Sequence, residues 1–443
     1  MLSFVGIPEI MTNWKRCFVF GVLAIVYSSI SSASTQSHKL SWKTEGFFDR
    51  YDAGKAVVVD SAGDIYVGGI SESLPNIQDN LREGALVAKY SPSGEKEWLT
   101  FGYFGPGLDH VAGMAIDDSN NVIIAGETYR YATGAEAYIL KFAPGGSLLW
   151  SGHFGSPSNE FGHDVVVDSL GNAYVGGSTT GDLGVGTKGS GYDGFVVKYS
   201  PLGVKLWSLQ QPDHIGNDVE TISIDFEQNF FAIGDRGSQE YIAKFDSNRN
   251  LLWNIAPYYP SLPGRRTQIT ESTTDLHGNL YVAGITNIFN DKLLGYTTYD
   301  GFVAKHDRDG NLLWQYQLQG ESFTSVSSVH VDAEGEVYIA GDFALDRASW
   351  LSLDIDSYWA KLDDVGNLQW MNKSGTTETD HAYGIAVDEN GVVYTAGYSS
   401  RVVNNYFDLD MFLARYDQVP EPASFVYVTV FLSACYCSRT KKM

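Results

Sequence analysis

Residues 168–177 read DSLGNAYVGG, and this pattern recurs through most of the chain. The Asp suits a tight turn because its carboxylate can accept bonds from nearby backbone N–H groups, while the following Gly or Asn can adopt a positive φ. Short apolar runs flank the turn, as expected for two paired strands. Further copies open at Asp60, Asp117, Asp225, Asp275, Asp332 and Asp388, so the chain carries seven units spaced 50–57 residues apart.

Each unit continues with two more predicted strands. A third apolar run ends in a basic residue, which is in turn Lys89, Lys141, Lys198, Lys244, Lys305, Lys361 and Arg415. In six units a fourth strand follows, with a Trp nine residues after the basic residue: Trp98, Trp150, Trp207, Trp253, Trp314 and Trp370. Four strands, termed A to D, repeated seven times predict an all-β fold: a seven-bladed β-propeller over residues 34–418, with four antiparallel strands per blade.

The units resemble those of the SBBP family, whose name denotes a seven-bladed β-propeller. The resemblance rests on D-x-x-G-N-x-Y-x-x-G at Asp168–Gly177 and on F-V-A-K at Phe302–Lys305, and it covers residues 39–418. The unit at Asp225 departs most from the pattern. The resemblance implies an architecture and leaves the activity open, because propellers host many functions.

The last unit has no Trp strand of its own, because the ninth residue after Arg415 is Ser424, inside the C-terminal tail. Trp42 lies 18 residues before Asp60, the spacing that four internal Trp residues keep from the next turn Asp. We therefore expect the strand around Trp42 to pair with residues 412–416 and close the ring, which hides an edge strand.

The two ends of the chain carry predicted address signals. In residues 1–33, Lys15 and Arg16 precede an apolar run, and small residues follow up to Ala33. This is the order of a secretory signal peptide, starting at Met1 or Met11. Residues 419–443 contain a Pro-Glu-Pro motif, an apolar segment at 425–437 and a basic end. The motif consists of Val419, Pro420, Glu421 and Pro422.

This tail resembles the PEP-CTERM sorting signal. The resemblance implies a Gram-negative bacterium that makes exopolysaccharide, an exosortase-type sorting enzyme as partner, and transient membrane insertion through the tail. The apolar segment is short for a stable span, which needs about 20 residues. An ordinary C-terminal anchor, left uncleaved, is the alternative.

Composition excludes some classes of function. Lys and Arg number 30 against 53 Asp and Glu, a formal net charge of −23. Such a balance argues against a nucleic-acid partner, whose phosphates require basic side chains. The three cysteines, Cys17, Cys435 and Cys437, all lie in the end segments. An exported body without disulfides must be stabilised by a large core.

The B–C loops differ in length from unit to unit, and variable insertions on one face of a repeat protein often mark its binding face. Aromatic candidates in these loops are Tyr129, Tyr131, Tyr299, Trp350 and Tyr406. Acids five residues before the basic residue of strand C are Glu136, Asp193, Asp300, Asp356 and Asp410. Acids eight residues before the turn Asp are Asp52, Asp109, Glu160 and Asp380. The second set belongs to strand A, the innermost of a blade, and should approach the channel mouth. Both sets could instead be framework residues that bond loop backbone; carboxylates and aromatic rings would equally suit carbohydrate or Ca²⁺.

No catalytic motif stands out. His110, His163 and His381 lie near blade starts without the spacing of a metal site, so we expect no metal and no cofactor, Ca²⁺ aside. The segment from Lys305 to Trp314 is similar to the Trp-docking repeat of quinoprotein dehydrogenases, which typically have eight blades. The sequence thus predicts a non-enzymatic binding or structural module, exported to the cell surface or extracellular matrix and linked to exopolysaccharide or a surface protein. A quinoprotein-like enzyme and a Ca²⁺- or carbohydrate-binding surface protein are the alternatives.

Overall fold

The computed structural model describes residues 38–46, 52–71, 84–102, 109–130, 134–183, 189, 191–210, 216–237, 239–257, 259, 265–288, 298–318, 323–344, 355–375, 379–403 and 406–418. The predicted signal peptide (1–33) and sorting tail (419–443) lie outside these residues, as do Tyr131 and Trp350. The side chain of Tyr406 is likewise not described.

Within these ranges the chain forms strands and no helix, which confirms the all-β prediction. The strands are β1 (His38–Glu45), β2 (Asp52–Val59), β3 (Ile65–Ser71), β4 (Gly84–Tyr90), β5 (Lys96–Gly102), β6 (Asp109–Ile116), β7 (Val122–Arg130), β8 (Gly134–Phe142), β9 (Leu148–Phe154), β10 (Glu160–Val167), β11 (Ala173–Thr179), β12 (Asp193–Tyr199), β13 (Lys205–Gln210), β14 (Thr221–Ile224), β15 (Phe230–Asp235), β16 (Glu240–Phe245), β17 (Leu251–Ile255), β18 (Arg265–Thr274), β19 (Leu280–Ile288), β20 (Thr298–His306), β21 (Leu312–Gln317), β22 (Phe323–Thr324), β23 (Ser328–Val331), β24 (Val337–Ala344), β25 (Asp356–Leu362), β26 (Leu368–Ser374), β27 (Asp380–Val387), β28 (Val393–Val403) and β29 (Tyr406–Gln418). The part of the chain described contains no helix long and apolar enough to cross a membrane.

The strands pair into antiparallel sheets of four, as the repeats predict. Four sheets follow chain order: β2 to β5, β6 to β9, β10 to β13, and β14 to β17. A fifth sheet has the order β1-β29-β28-β27. The remaining sheet has nine strands, because a parallel contact between Tyr299 and Phe323 joins β18–β21 to the next unit. In that next unit strand A is broken into β22 and β23.

The A–B hairpin of the third unit shows why the signature residues form a turn. Gly171 N donates to Asp168 O at 2.8 Å, and the backbone N–H groups of Leu170 and Asn172 donate to Asp168 Oδ1 at 3.0 and 2.8 Å. Gly171 has a φ of +76°, which favours glycine. The other carboxylate oxygen of Asp168 lies 3.1 Å from Lys198 Nζ. The turn Asp therefore also neutralises the buried basic residue of strand C.

The final Gly of the signature serves a β-bulge in strand A. The pairing of β10 with β11 shifts register between Gly162 and Asp164, so His163 is an extra residue. A Cβ at Gly177 would collide with the carbonyl oxygen of Phe161 beside this bulge. Because only glycine lets the backbones approach this closely, the signature encodes the bulge as well as the turn.

Trp residues of the D strands pack against the C–D turn of the next repeat. Trp98 Nε1 donates to Pro144 O at 2.9 Å, and its ring covers Gly146, where a Cβ would come within 2.8 Å of the indole. Trp150 makes the equivalent hydrogen bond and ring contact with Pro201 and Gly203, Trp253 with Arg308 and Gly310, and Trp314 with Asp364 and Gly366. These Trp residues therefore link consecutive repeats through the C–D turn.

Trp42 makes the same kind of contact with the C–D turn of the first repeat. Its strand β1 pairs with β29, with Trp42 opposite Arg415 and Glu45 opposite Phe412. Trp42 Nε1 donates to Pro92 O at 3.2 Å and its ring covers Gly94. The predicted pairing of the Trp42 strand with residues 412–416 is thus observed.

Candidate functional site

The A strands of the repeats line two cavities. The inner cavity, of about 380 Å³, is lined by residues that include Lys55, His163, Asp164, Glu220, Glu271 and Tyr383. The mouth cavity, of about 480 Å³, is lined by residues that include Lys55, His110, Glu127, Glu271, Ser327 and Tyr383. Both volumes fall within the range of small-ligand pockets, about 300–1,000 Å³. Because His110 and Glu127 lie near the B–C loops, the mouth cavity belongs to that face.

The bulge of strand A directs one residue per repeat to these cavities. Register shifts in five A strands leave as extra residues Lys55, Ala112, His163, Thr270 and Tyr383. All five line the inner cavity. The corresponding residues of the other two repeats are Glu220 and Ser327, each five residues before its turn Asp. The framework is repeated while this position differs in every copy, which is the pattern expected of a site built on a scaffold.

Lys55 lines both cavities. Its Nζ lies 3.8 Å from the centroid of the Tyr383 ring. Burial lowers the pKa of Lys55, while the charge of Asp342 acts against that effect. No carboxylate of the described residues forms an ion pair with Lys55; Asp342 instead accepts from His381 Nδ1 at 2.8 Å and Ala382 N at 3.1 Å.

Asp164 and Glu271 form a half-buried carboxyl pair that lines the inner cavity. Thr221 Oγ1 lies 3.0 Å from Asp164 Oδ2 and 3.4 Å from Glu271 Oε1. Ile222 N donates to Asp164 Oδ2 at 3.0 Å, and Ser272 N donates to Glu271 Oε1 at 3.1 Å. Burial raises the pKa of both carboxyls, and the charge of Asp164 raises the pKa of Glu271 further.

The three histidines noted in the sequence each lie beside a carboxylate. His110 Nδ1 is 3.2 Å from Glu127 Oε1, His163 Nδ1 is 3.0 Å from Asp218 Oδ1, and His381 pairs with Asp342 as described above. The last two contacts join neighbouring sheets. In the described residues no group of three or more His, Cys, Asp or Glu side chains is arranged to hold a metal ion.

The candidate acids lie at the ends of their strands, inside the sheets. Asp52, Asp109, Glu160 and Asp380 begin their A strands and are at most 3% exposed. None of the four lines either cavity in the part described. Opposite them on strand B lie Ser71, Thr128, Thr179 and Ser399. In three sheets strand C completes the row with Glu136, Asp193 and Asp410.

Three of these acids bond to the framework of their own sheets. Glu160 Oε1 accepts from Ser156 Oγ at 2.6 Å and Thr179 Oγ1 at 2.9 Å. Asp193 Oδ2 accepts from Gly189 N at 2.8 Å and from the side chain of Gln210 at 2.9 Å. Two further strand C acids, Asp300 and Asp356, begin or lie near the start of their strands, and Asp300 accepts from Gln317 Nε2 at 3.1 Å. These contacts favour the framework interpretation over a ligand site for Glu160, Asp193 and Asp300.

An aromatic cluster lies on the same face as the mouth cavity. The rings of Tyr129 and Tyr192 each lie about 6 Å from that of Phe161, at 5.9 and 6.1 Å. Tyr129 is 39% exposed and Tyr192 is 47% exposed. The His110 ring, which lines the mouth cavity, is 5.9 Å from Tyr129. Tyr299, by contrast, packs edge-on against Phe323 at 5.7 Å.

The sequence pattern pointed to Tyr129 and the strand-end acids. It did not single out Lys55, Asp164, Glu271 and Tyr383, which line the cavities. The signal was present: reading the repeats in register at the fifth residue before the turn Asp gives Lys, Ala, His, Glu, Thr, Ser and Tyr.

Comparison with known proteins agrees with the repeat architecture. The SBBP β-propeller repeat matches residues 150–184. An uncharacterized WD repeat-containing protein, L264 of Acanthamoeba polyphaga mimivirus, is 22% identical over 85% of this chain and 31% of its own length. The regulatory protein FlaEY of Caulobacter vibrioides is 29% identical over 31% of this chain and 16% of its own length. The chain therefore spans less than a third of either relative.

Among solved structures, a protein of unknown function from Dyadobacter fermentans aligns with a TM-score of 0.47 and 9% identity, over 86% of this chain and 99% of that one. The repeated sequence, the four-stranded antiparallel sheets and the family match together define a β-propeller repeat protein.

Proposed function

We propose that this chain is a non-enzymatic carbohydrate-binding module of the cell surface or extracellular matrix, associated with exopolysaccharide through its B–C loop face. The observation that carries the proposal is the exposed cluster of Tyr129, Phe161 and Tyr192, contiguous with the mouth cavity through His110. Tyr combines a large rigid apolar surface with a polar tip, which suits ligands that present both C–H and O–H groups.

The opposite face consists of turns whose polar groups are largely bound within the framework, although a cavity of about 820 Å³ lies beside Asp332 and Asp388. In each A–B turn the turn Asp caps backbone N–H groups, and in four repeats it also pairs with the buried Lys of strand C. Examples are Asp117 with Lys141 at 2.6 Å and Asp225 with Lys244 at 2.9 Å. Because these polar groups are occupied by the framework, we assign ligand binding to the B–C loop face.

The module is a closed ring of seven blades in this proposal. Support comes from the seven sequence repeats, from β1 pairing with β29, and from Trp42 seating on Gly94 of the first sheet. A core cluster that combines Val57 and Val67 with Tyr394 and Leu413 likewise spans the first and last repeats. Closure would leave no free edge strand.

Export and tail processing complete the proposal. They rest on residues 1–33 and on the Pro420-Glu421-Pro422 motif with its short apolar segment and basic end. An exosortase-type enzyme would process the tail, after transient membrane insertion.

A glycan array that includes bacterial exopolysaccharides tests the binding function. Parent protein should bind glycans, and the double variant Tyr129→Ala, Tyr192→Ala should lose at least about tenfold in affinity, about 1.4 kcal/mol. The matched control is Leu170→Ala, Leu202→Ala, which removes side chains that are 72% and 83% exposed from turns of the other face. Loss of binding in the control alone would reject the assignment of the face, and an array without bound glycans would reject the function.

A further inference from the structure

We propose that the mouth cavity is a subsite for a sugar acid, whose carboxylate is bound by Lys55. The inference deepens the proposed function and rests on its carbohydrate class. It goes beyond that function because it assigns a charged ligand group to Lys55. This residue lies on strand A of the first repeat and not in the B–C loops.

Lys55 is bonded differently from the basic residues of the framework. Seven basic residues end the C strands, and the described contacts of six of them include an ion pair with an acid of the A–B hairpin: Lys89, Lys141, Lys198, Lys244, Lys305 and Lys361. Lys55 differs from them. It lies in a cavity, and no ion pair joins it to a carboxylate in the described part of the chain.

Lys55 lies in the cavity because of a β-bulge. It is the extra residue of the bulge between Gly54 and Ala56, which directs its side chain out of the regular pleat. Tyr383 is the extra residue of another bulge, and its ring lies 3.8 Å from Lys55 Nζ. Two bulges thus place a cation against an aromatic ring, which stabilises the ammonium without neutralising its charge.

The remaining lining adds polar groups around Lys55. Glu127 Oε1 lies 3.2 Å from His110 Nδ1, and burial together with the charge of Asp164 raises the pKa of Glu271. The mouth cavity therefore places the ammonium of Lys55 beside polar groups that can donate and accept hydrogen bonds. Ser327 adds a hydroxyl. One ammonium for a carboxylate, several hydrogen-bonding groups for hydroxyls and an aromatic ring together fit a sugar acid.

The mouth cavity adjoins the aromatic cluster. His110 lines the mouth cavity and contacts Tyr129, so a saccharide lying on Tyr129 and Tyr192 could place an acidic unit in the cavity. The charge-assisted bond from Lys55 would then select acidic over neutral units, since hydrogen bonds between charged groups are stronger than those between neutral groups.

Isothermal titration of the purified chain with sodium glucuronate and with glucose tests the subsite. We expect glucuronate to bind at least about tenfold more tightly than glucose, and Lys55→Met to remove that preference. Lys55→Arg should keep it, because the charge remains. The matched control Lys205→Met changes an exposed lysine on β13 and should leave glucuronate affinity unchanged.

Folding is checked by circular dichroism and the thermal midpoint, and Lys55→Gln serves as a second neutral variant. Undiminished glucuronate binding by Lys55→Met or Lys55→Gln, equal affinity for glucose and glucuronate, or no binding of glucuronate at millimolar concentration would each overturn the subsite. Any of these results combined with glycan-array binding that depends on Tyr129 and Tyr192 would leave the proposed function standing. An array without bound glycans would remove the function itself.

Discussion

Ring closure can be tested by a single substitution, Trp42→Ala. Trp42 is partly buried, its Nε1 donates to Pro92 O at 3.2 Å, and its ring packs on Gly94. Replacing a fully buried Trp by Ala costs about 3–5 kcal/mol, and partial burial reduces the packing loss to about 2 kcal/mol. The lost hydrogen bond adds about 0.5–1 kcal/mol. We therefore expect the free energy of unfolding to fall by about 2–3 kcal/mol.

Trp98→Ala is the matched control, because Trp98 makes the same contacts with Pro144 and Gly146 within chain-consecutive sheets. Urea unfolding followed by circular dichroism measures both variants. If β1 closes the ring, the two losses should agree within about 1 kcal/mol, and deletion of residues 38–46 should cost more than either. If β1 were a loosely attached edge, Trp42→Ala would stay within about 0.5 kcal/mol of the parent while Trp98→Ala lost its 2–3 kcal/mol. That outcome would refute closure.

Three further predictions follow from other contacts. Burial lowers the pKa of His163, but Asp218, 3.0 Å away, raises it to about 9 from an ordinary 6.5. The charged pair should therefore stabilise the fold fully below pH 6.5 and lose this contribution as pH rises through about 9, and His163→Gln should flatten the thermal midpoint across that window. Lys198→Met leaves buried Asp168 without its partner at 3.1 Å and should lower the free energy of unfolding by about 3–5 kcal/mol in urea, whereas Lys205→Met should cost less than about 0.5. Mass spectrometry of surface-extracted protein should find chains ending near Pro420–Pro422, and an intact Met443 in all mature protein would contradict tail processing.

The strands were predictable because the repeat fixes both the turns and the apolar runs between them. Asp168 caps its own turn, Gly171 supplies the positive φ, and the strands between turns follow. The pairing of Trp42 with strand C of the last repeat was predictable for the same reason, since its spacing to Asp60 matches that of the internal Trp residues. The broken strand A at Phe323–Val331 was not foreseen, because its residues carry no turn signature.

The site was harder to predict, because it depends on departures from alternation. A regular strand would turn Lys55 and Ala56 to opposite faces, yet the bulge brings both to the inner cavity. The roles of the acids were also hidden. Asp193 and Asp300 look like loop-face ligands in the sequence, but Gln210 and Gln317 on strand D bind them from within the same sheet.

The bulge explains how one repeat can support both stability and recognition. Gly177 and its counterparts permit the close approach that the bulge requires, so this glycine recurs while the bulge residue beside it varies. A substitution at the bulge position, such as Lys55→Met, changes the cavity without altering the turn, the packing of the Trp or the Asp–Lys pair of its unit. A substitution at the glycine should instead disturb the strand pairing itself, because a Cβ there meets a backbone carbonyl that cannot move alone. Gly177→Ala should therefore destabilise the fold at every pH, whereas His163→Gln should remove an imidazole from the inner cavity and the pH-dependent contribution of its pair with Asp218.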